Sequence, residues 1–349
     1  MADRPIRGTP SAEGFVQPPE WTRHARTWMA WPARAATWVG GGGIDAARTA
    51  HADLARTISR FEPVRMVCAP GDVAEASLAC GPGIEIVPVP MSDGWMRDIG
   101  PIFVRNERSA EVAGVDFQFN GWGEIHHDWM LDADVAEAVL ANAKMRRFEA
   151  DFVLEGGAIC VDGSGTALVT EECLLDPRRN EMVDKIRLER WLRENLGIEK
   201  TVWLGRGYDQ DETKGHVDEI AAFARPGVVL LHTTTDVSDR NYEIGADNLD
   251  RLHAVRDAQG RVFDIIELPQ PDRVDENGRR LTLSYVNFVF VNGGLLIPAF
   301  EDPADKDALK IFKRVFPDRE IVPVPALDFV RGGGGLHCVT LQEPAPRGA

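Results

Sequence analysis

A five-residue phrase occurs twice in this chain. Ile86-Val87-Pro88-Val89-Pro90 returns as Ile321-Val322-Pro323-Val324-Pro325, each time with Glu before it and Asp within three residues after it. Looser versions lie between them: Phe148-Glu149-Ala150-Asp151-Phe152-Val153-Leu154, Thr201-Val202-Trp203-Leu204-Gly205, and Asp264-Ile265-Ile266-Glu267-Leu268-Pro269. Their spacing of roughly 50 to 65 residues is one at which repeats signal propellers or arrays built from one supersecondary unit. Each phrase reads as a short strand that stops where Pro or Gly forbids further ladder hydrogen bonds.

The intervening sequence supplies the rest of such a unit. Apolar, β-branched runs predict strands at 65–68, 102–105, 158–161 with 166–170, 219–231 and 286–291. Amphipathic stretches predict helices at 44–61, 129–143, 181–196, 246–257 and 305–316. Asp162-Gly163-Ser164-Gly165 and Asn292-Gly293-Gly294 punctuate the hairpins. Five helices interleaved with five strand groups predict a single domain over 1–349, an α/β fold of five modules. The competing arrangement, a doubly wound parallel sheet, is weakened because no Gly-x-Gly-x-x-Gly follows a strand.

Charge narrows the partners. Lys and Arg number 39 against 55 Asp and Glu, a formal charge of −16, which argues against nucleic acid or an anionic membrane and favours a small cation. Five cysteines (Cys68, Cys80, Cys160, Cys173, Cys338) are scattered with no Cys-x-x-Cys pair, so neither a zinc knuckle nor a dithiol redox site is expected. A reduced, cytoplasmic compartment fits this set. The opening Met-Ala-Asp-Arg-Pro-Ile-Arg-Gly has no apolar region behind it, against a secretory signal. The most apolar window, 281–300, is broken by Asn287, Asn292, Gly293, Gly294 and Pro298 and reads as a buried strand pair.

Four places concentrate chemistry, each just after a repeated strand. Ser92 to Pro101 carries Trp95, Arg97 and Asp98 between turn residues; a surface Arg97–Asp98 pair is the plainer reading of that segment alone. Glu155 closes an apolar strand before Gly156-Gly157. In Asp209 to Glu219, an extended 216–223 would place His216 and Asp218 on one face, an imidazole beside a carboxylate suited to acid–base work. No third ligand at metal-site spacing accompanies them. Finally, Gly332-Gly333-Gly334-Gly335 leads through Leu336-His337 to Cys338. Glycines allow close backbone approach to a ligand, although a buried cysteine on the last strand is the commoner fate of a free thiol. Strand neighbours face opposite sides, so His216 is a better base for Cys338 than His337.

One cysteine, one histidine and the carboxylates Asp98, Glu155 and Asp218 suit a planar cation. Carboxylates accept the N–H forks of a guanidinium in pairs, and they suppress the thiolate until such a cation arrives. The sulfur would then attack the central carbon while His216 protonates departing ammonia and activates water.

Six ordered motifs, spread from about Gly14 to Glu343, resemble the agmatine deiminase family, which groups with bacterial-type peptidylarginine deiminases. They are Trp95-Met96-Arg97-Asp98-Ile99-Gly100-Pro101, Phe119-Asn120-Gly121-Trp122-Gly123, Leu154-Glu155-Gly156-Gly157, Thr170 to Leu175, Asp211 to Asp218 and Gly333 to Cys338. The resemblance implies the pentein fold, a five-fold α/β propeller, and hydrolysis of agmatine through an amidino-cysteine intermediate without metal or cofactor. It implies Cys338 as nucleophile, His216 as acid–base, Asp98 and Asp218 as the guanidinium grip and Glu155 as a further contact. Trp95 and Gly335 complete the expected substrate-binding set, and a homodimer is compatible with it. The chain departs from the family pattern at Ala36-Thr37 before Trp38, at Ser92-Asp93-Gly94, and at Gly335, where Asn is usual. Those positions bear on the substrate's tail. The alternatives are a deiminase of another guanidine, an amidinotransferase, or a non-catalytic binding protein of the same fold.

Overall fold

A computed structural model describes residues 8–274, 278 and 280–348. The opening segment read above as lacking an apolar region falls, up to residue 7, outside the described residues.

Every one of the five repeated phrases becomes an edge strand, and each belongs to a different sheet. These strands are Ile84–Pro88, Arg146–Val153, Lys200–Leu204, Asp264–Pro269 and Glu320–Pro325. Each pairs in parallel with the strand before it: Val64–Cys68, Val112–Gln118, Thr166–Thr170, Val228–Thr233 and Gly294–Ala299. Parallel neighbours need a crossover, and helices supply it. They are Val73–Cys80, Val135–Ala143, Lys185–Leu196, Arg240–Ala254 and Asp305–Val315. Four of the sheets add an antiparallel strand on the other side, as Ala221–Arg225 does against Val228–Thr233. Edge position explains the prolines. Pro88, Pro323 and Pro325 lack an N–H that an interior strand would have to donate. Five small sheets, not one long one, rule out the doubly wound arrangement.

The fifth sheet differs. Its order runs Thr340–Pro344, His24–Ala30, Val64–Cys68, Ile84–Pro88, with the long helix Gly43–Ser59 as a second crossover. The last strand is antiparallel to His24–Ala30, Leu341 opposite Trp28. Two side-chain bonds reinforce that seam: Glu343 accepts from Trp28 Nε1 at 2.8 Å and from Arg26 Nε at 3.1 Å. Among the described residues no helix is long and apolar enough to cross a membrane.

Several expectations shift. The helix foreseen at 246–257 starts at Arg240, because the Asp239 carboxylate caps it by accepting from Asn241 N at 2.9 Å. The helix Val73–Cys80 and the strands His24–Ala30, Val112–Gln118 and Thr340–Pro344 were not foreseen. Residues 216–223 are not extended throughout: Val217–Glu219 is a 3-10 turn and the strand begins at Ala221. Cys338 lies in a turn ahead of Thr340–Pro344, so alternation along a strand governs neither His216 with Asp218 nor His337 with Cys338.

Glu343→Ala should remove about 1–3 kcal/mol of stability, because it orphans the buried Trp28 N–H. Glu343→Gln, which keeps an acceptor there, should lose less. Denaturant melts of the two variants check the order.

Candidate active site

A cleft of about 380 Å³ opens beside Cys338, walled by Trp95, Asp98, Trp122, His126, Glu212 and the glycines 332–334. Each wall has a local cause. Asp98 belongs to the short helix Met96–Ile99, and both its oxygens are committed: Oδ1 accepts from Gly157 N and Oδ2 from Trp122 Nε1, each at 2.9 Å. Trp122 reaches it because residues 121–123 all take positive φ, 67°, 58° and 76°. The strain at a non-glycine there is stored where an aromatic must be aimed. Trp95 stacks on Trp38 with ring centroids 4.9 Å apart, and Asp93 accepts from both indoles, at 3.1 and 3.0 Å.

Arg97 makes no surface pair with Asp98, since both are buried. Its guanidinium reaches Glu20 at 3.0 Å and Gln342, and its backbone N–H donates to Cys338 O at 3.0 Å. It is a strut between the chain's two ends.

His216 is placed by Asp211, whose Oδ2 accepts the backbone N–H groups of Gly215 and His216 at 3.0 and 3.2 Å. Its Nδ1 lies 3.9 Å from Asp98 and 4.0 Å from Asp218. Burial opposes charge on this ring, but Asp98, Cys173 and Glu155 outweigh it and hold the imidazole well above its ordinary value. Cys338 Sγ sits 3.7 Å from Asp218 Oδ2 and 3.6 Å from Glu219 Oε1. Burial first, then Asp218, Glu219 and Asp98, push this thiol well above the usual range. His337 bridges Asp218 and Glu20, 2.8 Å from each. Two carboxylates facing both ring nitrogens require an imidazolium, and its pKa is raised although burial and Arg97 oppose.

Asp98, His216, Asp218 and Cys338 are therefore brought together, with Trp95 on the cleft wall. Of these only Asp98, Trp95 and Cys338 line the cleft itself; His216 and Asp218 lie behind them, and Glu155 and Gly335 are not among the lining residues either. Glu155 was expected to touch the substrate, but it accepts from Arg179 Nε at 2.8 Å; Arg179 in turn donates to Thr213 O at 2.6 Å, bracing the loop before His216. Gly335 packs on Asn287: a Cβ there would come within 2.3 Å of Asn287 Oδ1. Glu212 and Trp122 lie inside motifs noted above but carried no assigned role. Glu219 and Asn287 fell inside predicted strands, Glu219 also at the end of the Asp209 to Glu219 segment and Asn287 as a break in an apolar run, and neither carried a role. Among the described residues two groups have metal-compatible spacing, Glu155–Cys173–His216 and Asp218–Glu219–Cys338; in the first, Arg179 already supplies the cation.

The cleft thus pairs a buried thiol with an imidazolium and several carboxylates, the equipment for covalent chemistry on a guanidinium. The chain belongs to the Porphyromonas-type peptidyl-arginine deiminase family, whose model matches residues 16–344. It is 42% identical over 365 residues to the agmatine deiminase of Pseudomonas aeruginosa, covering 98% of each chain. The agmatine deiminase of Enterococcus faecalis superposes with a TM-score of 0.92 at 35% identity, over 99% of this chain and 100% of that one. A Cys-to-Ser agmatine deiminase of C. jejuni with substrate bound gives 0.86 at 26% identity, over 95% and 97%.

Gly157 tests the convergence. A Cβ there would lie 2.6 Å from His216 Nδ1, 3.0 Å from Asp98 Oδ1 and 3.1 Å from Asp218 Oδ2. Gly157→Ala should lower guanidine turnover about 100-fold by displacing these groups, with a cost of about 1–3 kcal/mol in stability. Ammonia release and a thermal melt measured together check it.

Proposed function

We propose that this chain hydrolyses agmatine to N-carbamoylputrescine and ammonia, with residues 1–349 acting as one catalytic domain in the cytoplasm. The observation that carries the substrate choice is the cleft lining: it holds Asp98 and Glu212 but no Arg or Lys among the described residues. Its His126 is pulled below the ordinary imidazole value by burial and by Arg34. The α-carboxylate of free arginine would find no cation there, whereas a primary ammonium can meet Glu212. The names of the relatives agree with this reading.

The chemistry follows from charge. In the empty site Cys338 keeps its proton and His216 is an imidazolium. A guanidinium gripped by Asp98 and Asp218 replaces the thiol's proton, which leaves to solvent. Cys338 Sγ then bonds to the guanidinium carbon. As the C–N bond breaks, His216 gives its proton to departing ammonia. The neutral imidazole next takes a proton from water, whose oxygen bonds to the amidino carbon. As the S–C bond breaks and the C=O forms, the remaining hydroxyl proton passes to the sulfur, which restores the Cys338 thiol and leaves the ureido product. A relative studied with substrate bound as a cysteine-to-serine variant is in keeping with a cysteine nucleophile.

Cys338→Ser should abolish turnover while leaving binding largely intact, and an amidino adduct on Cys338 should be seen by mass spectrometry of quenched wild type. Asp98→Asn and Asp218→Asn should each cost several kcal/mol of transition-state stabilisation, about 3–5 kcal/mol for one member of a buried charge pair. Full activity in both would remove the guanidinium grip from these residues.

Ammonia release from agmatine, its shorter and longer homologues, arginine and a blocked arginyl peptide decides the substrate. Agmatine should lead and arginine be poor; a preference for the blocked peptide would overturn the choice. Glu212→Gln should raise KM for agmatine about tenfold, the loss of about 1.4 kcal/mol, and should leave butylguanidine unchanged.

A further inference from the structure

Asn287 lies two residues ahead of the strand Val289–Val291 and is 1% exposed. Nothing in its sequence surroundings marks it beyond an interruption of an apolar run. Yet every polar atom of its side chain is engaged at the floor of the cleft. Oδ1 accepts the backbone N–H of His337 at 2.8 Å. That partner is an obligate donor, so it fixes which end of the amide is oxygen. Nδ2 therefore points the other way, where it meets Glu219 Oε1 at 2.9 Å, Asp218 O at 3.2 Å and Cys338 Sγ at 3.3 Å. A second N–H, from the Gly335 backbone, reaches the same sulfur at 3.4 Å.

We propose that Asn287 is a catalytic residue: its amide and the Gly335 backbone N–H form a two-donor cradle for the Cys338 thiolate. The inference rests on the reading of Cys338 as the nucleophile and adds the group that makes its anion attainable.

The need is electrostatic. The charged groups facing the sulfur are Asp218 and Glu219 from the 3-10 turn and Asp98 from the helix Met96–Ile99, all of them raising its pKa together with burial. The Gly335 N–H works in the opposite direction. Burial, Asp218 and Asp211 also push Glu219 well above the carboxylate range, so the Asn287 amide that donates to it also relieves this crowding. Hydrogen bonds to an ionised acceptor are roughly twice as strong as neutral ones. Two donors on the sulfur therefore favour the thiolate over the thiol. Gly335 makes the cradle compact. With no side chain it lets the Asn287 amide approach to where a Cβ would clash, and this is a position at which the chain departs from the family pattern.

The test needs no substrate. Alkylation of Cys338 by iodoacetamide, located by peptide mass, is followed from neutral to strongly alkaline pH in wild type, Asn287→Ala, Asn287→Ser and Asn287→Asp. Loss of one hydrogen bond to a charged group should move the apparent thiol pKa up by about one to two units, a 10- to 100-fold slower reaction below it. Asn287→Asp keeps the size and the acceptor for His337 N–H, so it is the variant that decides if the smaller ones do not fold. It should shift at least as far. With agmatine, kcat should fall by a similar factor and KM change much less. A folded variant, confirmed by thermal melt, whose Cys338 titrates as in wild type would overturn the proposal. Failure of the underlying reading is separate: Cys338→Ser would still release ammonia, or wild type would release none from any guanidine.

Discussion

Like charges crowded around one sulfur set the conditions for the rest of this site. Asp98, Asp218 and Glu219 all face Cys338 from a buried floor, and repulsion of that kind is tolerable only with compensation. The protein provides it in layers. His337 stands as a buried cation between Asp218 and Glu20. Glu20 is held at about 2, because His337 and Arg97 overcome the opposing effect of burial. His216 supplies a second cation, and Trp122 and Gly157 donate to Asp98. What remains is a local deficit of positive charge within a cleft, open toward solvent, that a flat cation can fill.

The loops that build this floor are shaped by the same demand. Asp211 spends its carboxylate on the backbone of 213–216, and Asp93 fastens two stacked indoles. The run of glycines before Cys338 is explained sterically. A Cβ at Gly334 would lie 2.7 Å from the Trp95 ring and 3.1 Å from Cys338 Sγ, so the loop can pass beneath the aromatic wall only as bare backbone.

Much of the architecture was legible because its signal is local. Three of the five repeated runs end in proline, which suits an edge, and all five serve as edges. The reasoning about His216 and Asp218 reached a correct neighbourhood by a wrong route: a 3-10 turn brings them together where a strand was assumed. Glu155 illustrates a different limit, since Arg179, its partner, sits 24 residues away and gives no sequence sign of claiming it. Asn287 is the extreme case. Its contact with Cys338 spans 51 residues, and an asparagine in an apolar run is read as a break in the pattern until the chain is folded around it.

The seam between Thr340–Pro344 and His24–Ala30 carries a consequence for biosynthesis. A ribosome releases the first long strand of the sheet more than 300 residues before its antiparallel neighbour. During that interval the flank of His24–Ala30 is an unpaired edge, and Trp28 lacks the Glu343 acceptor for its indole. The sulfur of Cys338 emerges only two residues ahead of the strand that closes the seam. Synthesis thus delivers Cys338 and the closing strand almost together, and a nascent chain stopped short of them carries neither.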